Sequence, residues 1–195
     1  MSISEQYLQA EMAHLHASGL FLADWYVQRH PELARPGADP LAYFCKLGWR
    51  QGDLPNPYFD PNYYLAANQD VARAGLNPLL HYVTHGDKEG RDPCAYFHAA
   101  WYRQEYQVAA GENALRHFLE RRFTGQVAPV PLFDPVYYFE NNPDVATAGS
   151  DPFEHFLAFG AAEARNPCAA FDMKFYQARY GAVLGGLNPL LHYLA

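Results

Sequence analysis

Aromatic and apolar positions recur along this chain at a long, nearly constant period. Phe21, Phe59, Phe97, Phe133 and Phe171 each open one unit, at separations of 38, 38, 36 and 38 residues. A second anchor follows in each: Tyr43 in PLAYF, His81 in PLLHY, His117 in ALRHF, His155 in PFEHF and His192 in PLLHY. From each of the first four anchors to the next Phe the distance is 16 residues, so the rear half of the unit has fixed length and the front half varies. Such a period is the mark of a stacked array, in which each unit buries its apolar face against its neighbours.

Within a unit the shorter pattern predicts helices. In 133–167, Asp134-Pro135, Asn142-Pro143 and Asp151-Pro152 each place an N-capping side chain before a proline. The side chain accepts from free first-turn amides, and proline has no amide to leave unpaired. The expected helices are roughly 135–141, 143–148 and 152–159, with Gly149 and Gly160 as left-handed closing residues. Copy two repeats the scheme with Asp60-Pro61, Asn77-Pro78, Gly75 and Gly86. Copy three lacks these caps, uses Asn113-Ala114, and is two residues shorter in its front half, which predicts a turn in place of its middle helix. Leu79, Tyr82, Val83 and Gly86 fall on one helical face at i, i+3, i+4 and i+7. His81 then lies on the flank between core and water.

Residues 1–20 stand outside the repeat. Ser2 and Glu5 suggest a capping box and Gly19 a helix stop, so an amphipathic capping helix over the first repeat is expected. The fold class is all-α: a right- or left-handed solenoid of five short repeats over 21–195, with the last unit incomplete at Ala195 and the natural protein continuing into further domains.

Composition narrows the function classes. A net charge of −7 removes the basic stripe that a nucleic-acid partner requires. No apolar run is long enough to span a membrane and the first residues lack a secretion signal, so a cytoplasmic location is expected. Cys45, Cys94 and Cys168 form no CxxC, and Cys94 and Cys168 share one repeat position two units apart; buried free thiols are expected rather than a bridge.

The pattern FDPNYYLAANQDVARAGLNPLLHYVTHGDKEGRDP at 59–93 resembles short helical repeats that accompany bacterial glycosyltransferases of surface-polysaccharide biosynthesis, and also some large bacterial surface proteins of the haemolysin-type calcium-binding group. The resemblance covers about 21–195 and is weakest in copy three, with HAAWYRQEYQ at 98–107. It implies a non-catalytic accessory or scaffolding segment beside a sugar-transferring domain that this sequence does not contain. Rival readings are the acceptor-binding part of a transferase and a surface adhesion module.

Four sets of residues carry candidate chemistry. His81, His117, His155 and His192 supply one ring per repeat, a ladder rather than ligands converging within about 2.0–2.2 Å of one point, so hydrogen bonds to a neighbouring repeat's backbone or cap are expected. His81 and His85 form an HxxxH pair without the glutamate of HExxH, and neither a metal nor a cofactor is expected. In the aromatic pairs, Tyr26, Tyr64, Tyr102, Tyr138 and Tyr176 are assigned to inter-repeat core. Trp25, Tyr63, Trp101, Tyr137 and Phe175 are left as the more exposed rings that could stack on sugars, the first four entering the candidate site. Arg91 and Arg165, at equivalent loop positions, either fork onto an anionic group or cap the carbonyl end of the preceding helix. Together the rings and the two arginines form the candidate site for an acidic glycan, with a protein partner as the other expected ligand. No P-loop, GxGxxG, GxSxG or Asp-x-Asp is present, so no catalytic residue is assigned.

Overall fold

The computed structural model describes residues 3–194, with the side chain of Ile3 excluded. The Ser2 half of the expected capping box and Ala195 lie outside the described residues. Every regular element among the described residues is helical, and extended pairing is limited to isolated bridges at Asn56–Phe59 and Cys168–Phe171. The chain divides into two compact units, one of residues 1–100 with 109–116, the other of 101–108 with 117–195.

The expected helices of copies two and four are present. Copy two has Pro61–Ala67, Gln69–Ala74 and Pro78–His81; copy four has Pro135–Asn141, Pro143–Ala148 and Pro152–His155. Asp60 and Asp134 cap the front helices, and Asn77 and Asp151 the rear ones, by accepting first-turn amides. Gly75 and Gly149 end the middle helices with φ of 64° and 61°. Copies one, three and five have no α-helix in the middle position; copy three runs from Ala99–Glu105 through turns to Ala114–Arg121.

Three local expectations are corrected. Asn142 precedes its helix but does not cap it. Its Nδ2 donates to the Tyr138 carbonyl at 2.7 Å and its Oδ1 accepts from Arg165, and Asn68 does the same with Tyr64 and Arg91. Gly86 and Gly160 are not left-handed, since neither has positive φ. They lie inside a wide π-helical turn, Tyr82–Gly86 and Phe156–Gly160, that continues each rear helix, as Phe44–Gly48 does in copy one. A Cβ on Gly86 or Gly160 would overlap the hydroxyl of Tyr64 or Tyr138, and one on Gly48 would meet that of Tyr26. Glycine is there because a buried phenol occupies the space of its side chain. The left-handed residue comes four positions later, at Gly52, Gly90 and Ala164, with φ of 85°, 70° and 55°.

The third correction concerns the aromatic core. Tyr26, Tyr64, Tyr102 and Tyr138 are fully buried, and Tyr176 half-buried. Tyr26, Tyr64, Tyr138 and Tyr176 nevertheless make ring contacts within their own repeat. Phe59, Tyr64 and Tyr82 form a triad with centroids 5.4 to 5.9 Å apart, and Phe133, Tyr138 and Phe156 one at 5.3 to 5.9 Å. Copies two and four thus each carry an aromatic nucleus, in which the Tyr64–Tyr82 and Tyr138–Phe156 pairs have the edge-to-face geometry that ring quadrupoles favour. Copies one, two and four also close on themselves through Leu22 N–H to Pro55, Asp60 N–H to Pro93 and Asp134 N–H to Pro167 carbonyls, each at 3.0 Å.

The N-terminal helix Ile3–Ser18 stops at Gly19, whose φ is 70°. It turns Leu8, Glu11, Met12 and Leu15 inward, a spacing of i, i+3, i+4 and i+7, and packs on the rear helices of both copy one and copy two.

Candidate functional site

The Nδ1 hydrogen bond of each anchor histidine lies inside its own repeat. Nδ1 of His81, His117, His155 and His192 meets the hydroxyl of Tyr64, Tyr102, Tyr138 and Tyr176 at 2.9, 2.8, 3.0 and 2.8 Å. An imidazole whose Nδ1 accepts the phenol proton there is neutral and carries its own proton on Nε2. Burial, with the Arg91 and Arg165 guanidinium groups next in size, lowers the pKa of His81 and His155 below the ordinary histidine value. Burial also raises the Tyr64 and Tyr138 phenols above theirs. Copy one has Tyr43 at the anchor and solves the same problem otherwise: Tyr26 donates to Asp53 at 2.9 Å, and His30 stacks on Tyr26 at 4.4 Å.

The arginines are likewise occupied. Arg91 forks onto Asp70 with Nη1 and Nη2 at 2.9 Å, donates Nη1 to Asn68 at 2.9 Å and Nε to Glu89 at 2.6 Å. Arg165 meets Asp144, Asn142 and Glu163 in the same register at 2.9, 3.0 and 2.6 Å. Neither expected role describes this: each guanidinium clamps the rear loop to the start of the middle helix of its own copy. The hydrogen bonds from Arg91 hold the Asp70 carboxyl down at about 2. Two carboxylates around each guanidinium leave the cluster net negative, so an anionic ligand would have to displace them.

Trp25, Tyr63, Trp101 and Tyr137 are half-buried. The Arg29 guanidinium covers the Trp25 ring at 3.6 Å, and Trp101 lies edge-to-face with Tyr106 at 6.0 Å. Among the described residues the cation–π contacts involve Arg29, Arg50, Arg122 and Arg179, and neither Arg91 nor Arg165. All three cysteines are buried and free. Burial and Glu11 push the Cys45 thiol up to about 12. His81 and His85 stack at 5.6 Å, and His85 Nδ1 pairs with the Thr84 hydroxyl at 2.8 Å. No group of three His, Cys, Asp or Glu side chains among the described residues is placed to hold a metal ion.

What the repeat pattern did not reveal is a groove of about 750 Å³ in the first unit, where the N-terminal helix crosses the seam between copies one and two. Ala10, Trp49, Leu76 and Leu80 give it an apolar floor, and Tyr7, His14, His85 and Glu89 a polar rim. Tyr7 and Leu76 are exposed, at 74% and 47%. One end is held by Glu11, whose carboxylate accepts from the Nδ2 of buried Asn77 at 2.6 Å. Of the candidate residues singled out from sequence, Cys45, His81, His85 and Arg91 line this groove. A signal existed in the i, i+3, i+4, i+7 face of residues 8–15, but its glutamate reads as polar until Asn77 is known to be opposite.

No helix among the described residues is long and apolar enough to cross a membrane. No protein-family model, curated protein or solved structure matches the chain.

Proposed function

We propose that this chain is a non-catalytic binding segment whose repeats stack as a solenoid and which engages a protein partner through the groove at the seam of copies one and two. The observation that carries this reading is the commitment of its reactive groups. The anchor histidines are bonded to buried phenols and the loop arginines to two carboxylates each. The groove, by contrast, offers open apolar surface with mixed charge at its rim, the composition of a surface that takes an apolar side chain from a partner. The likeness of 59–93 to repeats that accompany polysaccharide-biosynthesis glycosyltransferases supports an accessory place in a larger bacterial protein of that kind, in the cytoplasm.

A glycan is the second reading, favoured by the exposed Tyr7 ring in the lining of the same groove. Panning a displayed peptide library on the chain, with counter-selection on Leu80→Glu, separates the two. Peptides enriched on the wild type and rejected by the variant support the protein reading. An empty selection together with oligosaccharide binding that Tyr7→Ala abolishes supports the glycan. Turnover of a sugar nucleotide by the chain, removed by a single substitution within it, overturns both.

A further inference from the structure

The octapeptide GLNPLLHY occurs twice, at 75–82 and at 186–193. In the first occurrence the Asn77 Oδ1 accepts the Leu79 amide at 3.0 Å, which turns Nδ2 outward to Glu11 of the N-terminal helix at 2.6 Å. In the second, Asn188 Oδ1 accepts the Leu190 amide at 3.0 Å and fixes the side chain the same way. Its Nδ2 is buried and finds no hydrogen-bond partner among the described residues. An unpaired buried amide donor is costly enough that native structures rarely keep one.

Asn188 lines a notch of about 360 Å³ in the second unit, together with Leu157, Ala161, Leu184 and Leu187. The lining repeats the groove by register. Counted from the anchors Tyr43 and His155, Cys45 corresponds to Leu157 and Trp49 to Ala161; counted from the shared octapeptide, Leu76 corresponds to Leu187. Leu76 is 47% exposed and Leu187 61%. The seam of copies one and two is therefore crossed by a helix that supplies the acceptor, whereas among the described residues no equivalent helix crosses the seam of copies four and five and nothing accepts from Asn188 Nδ2.

We propose that the notch between copies four and five docks a helix of a partner protein, one that presents a glutamate within an apolar stripe as Leu8, Glu11, Met12 and Leu15 do. The charges agree: helix 3–18 carries Glu5 and Glu11 with no Lys or Arg, whereas residues 171–194 carry Lys174 and Arg179 against the single acid Asp172. The glutamate would accept from Asn188 Nδ2 while the apolar residues cover Leu187 and Leu184. This site is separate from the groove of the first unit and does not depend on what that groove binds.

The probe is a labelled peptide of residues 3–18, titrated into the full chain by fluorescence anisotropy. Asn188→Asp keeps a capping oxygen, as Asp151 does at the same position of copy four, but turns the donor into an acceptor. Leu187→Glu alters an exposed wall residue and leaves the core alone. Saturable one-to-one binding, weakened at least about tenfold by either variant and by Glu11→Ala in the peptide, is the expected result. No saturable binding, or binding that persists in both variants, overturns the proposal. Self-association of the unmodified chain that Asn188→Asp abolishes would also overturn it, by making the occupant a second copy.

Discussion

Tyr138 and His155 lie 17 residues apart and share a hydrogen bond of 3.0 Å between Oη and Nδ1. The phenol is fully buried, and its hydroxyl also fills the place of a side chain on Gly160. One buried hydroxyl thereby links the front helix, the anchor histidine and the wide turn of copy four. The same three-way relation holds for Tyr64, His81 and Gly86 in copy two.

Replacing His155 by Ala leaves the buried Tyr138 hydroxyl without its partner and should cost about 1–3 kcal/mol in urea unfolding. His155→Gln, whose amide oxygen can accept, should cost less. In a double-mutant cycle with Tyr138→Phe the two losses should be strongly non-additive. Additive losses would mean that the bond contributes nothing.

Gly160→Ala should cost about 1–3 kcal/mol by overpacking against that hydroxyl. Combining it with Tyr138→Phe should recover part of the loss, since the oxygen in the way is gone. Gly149→Ala, strained by its φ of 61° but with nothing within 4 Å of the added carbon, should cost about 1 kcal/mol and gain nothing from Tyr138→Phe. Thermal unfolding of the five variants checks all three statements.

Copy three shows how far the sequence discloses this arrangement. It keeps Tyr102 and His117, bonded at 2.8 Å, but has Arg122 five residues after the anchor where copies one, two and four have Gly48, Gly86 and Gly160. Its rear helix is ordinary α to Arg121 and then a short 3-10 turn, and Arg122 reaches the buried Asp151 carboxylate at 3.3 Å. Helix positions in copies two and four were legible because caps and prolines act locally. The Tyr–His bond was not, because a histidine on a helix flank has the same pattern whether it faces its own repeat or the next. The glycine was misread for a related reason: a glycine near a helix end is usually left-handed, and only the buried phenol shows why this one is not. The arginine clamp joins residues 21 apart and carries no short-range signal, and the groove depends on where the N-terminal helix comes to rest.

The histidines also set a pH dependence. The folded-state pKa of His81 and His155 is lowered, so the fold favours the neutral ring. Their contribution to stability is complete above the ordinary value of about 6.5 and is lost as pH falls through the lowered folded value. Unfolding followed from pH 7.5 to 5 should show stability falling with acid, and His81→Gln with His155→Gln should flatten that slope. An unchanged slope in the double variant would contradict the assignment.

Asp70 supplies a separate, more acidic readout. Arg91→Met should return its carboxyl from about 2 to the ordinary carboxylate range near 3.9. NMR titration of Asp70 reports this directly. Because the folded value is depressed, the clamp's contribution is present above the ordinary carboxylate range and lost as pH falls toward 2. Amide exchange in Gln69–Ala74 should quicken in the variant at neutral pH, since the helix start loses its tie to the rear loop.

The central claim is that the reactive side chains are structural and that binding takes place on the apolar floor formed by Leu76 and Leu80. The most direct measurement is calorimetric titration of a library-selected peptide into the wild type, Leu80→Glu and His155→Ala. Affinity should fall at least about tenfold in Leu80→Glu and stay unchanged in His155→Ala, whose site lies in the other unit. Affinity that survives Leu80→Glu, or that is lost in a stably folded His155→Ala, would contradict the account.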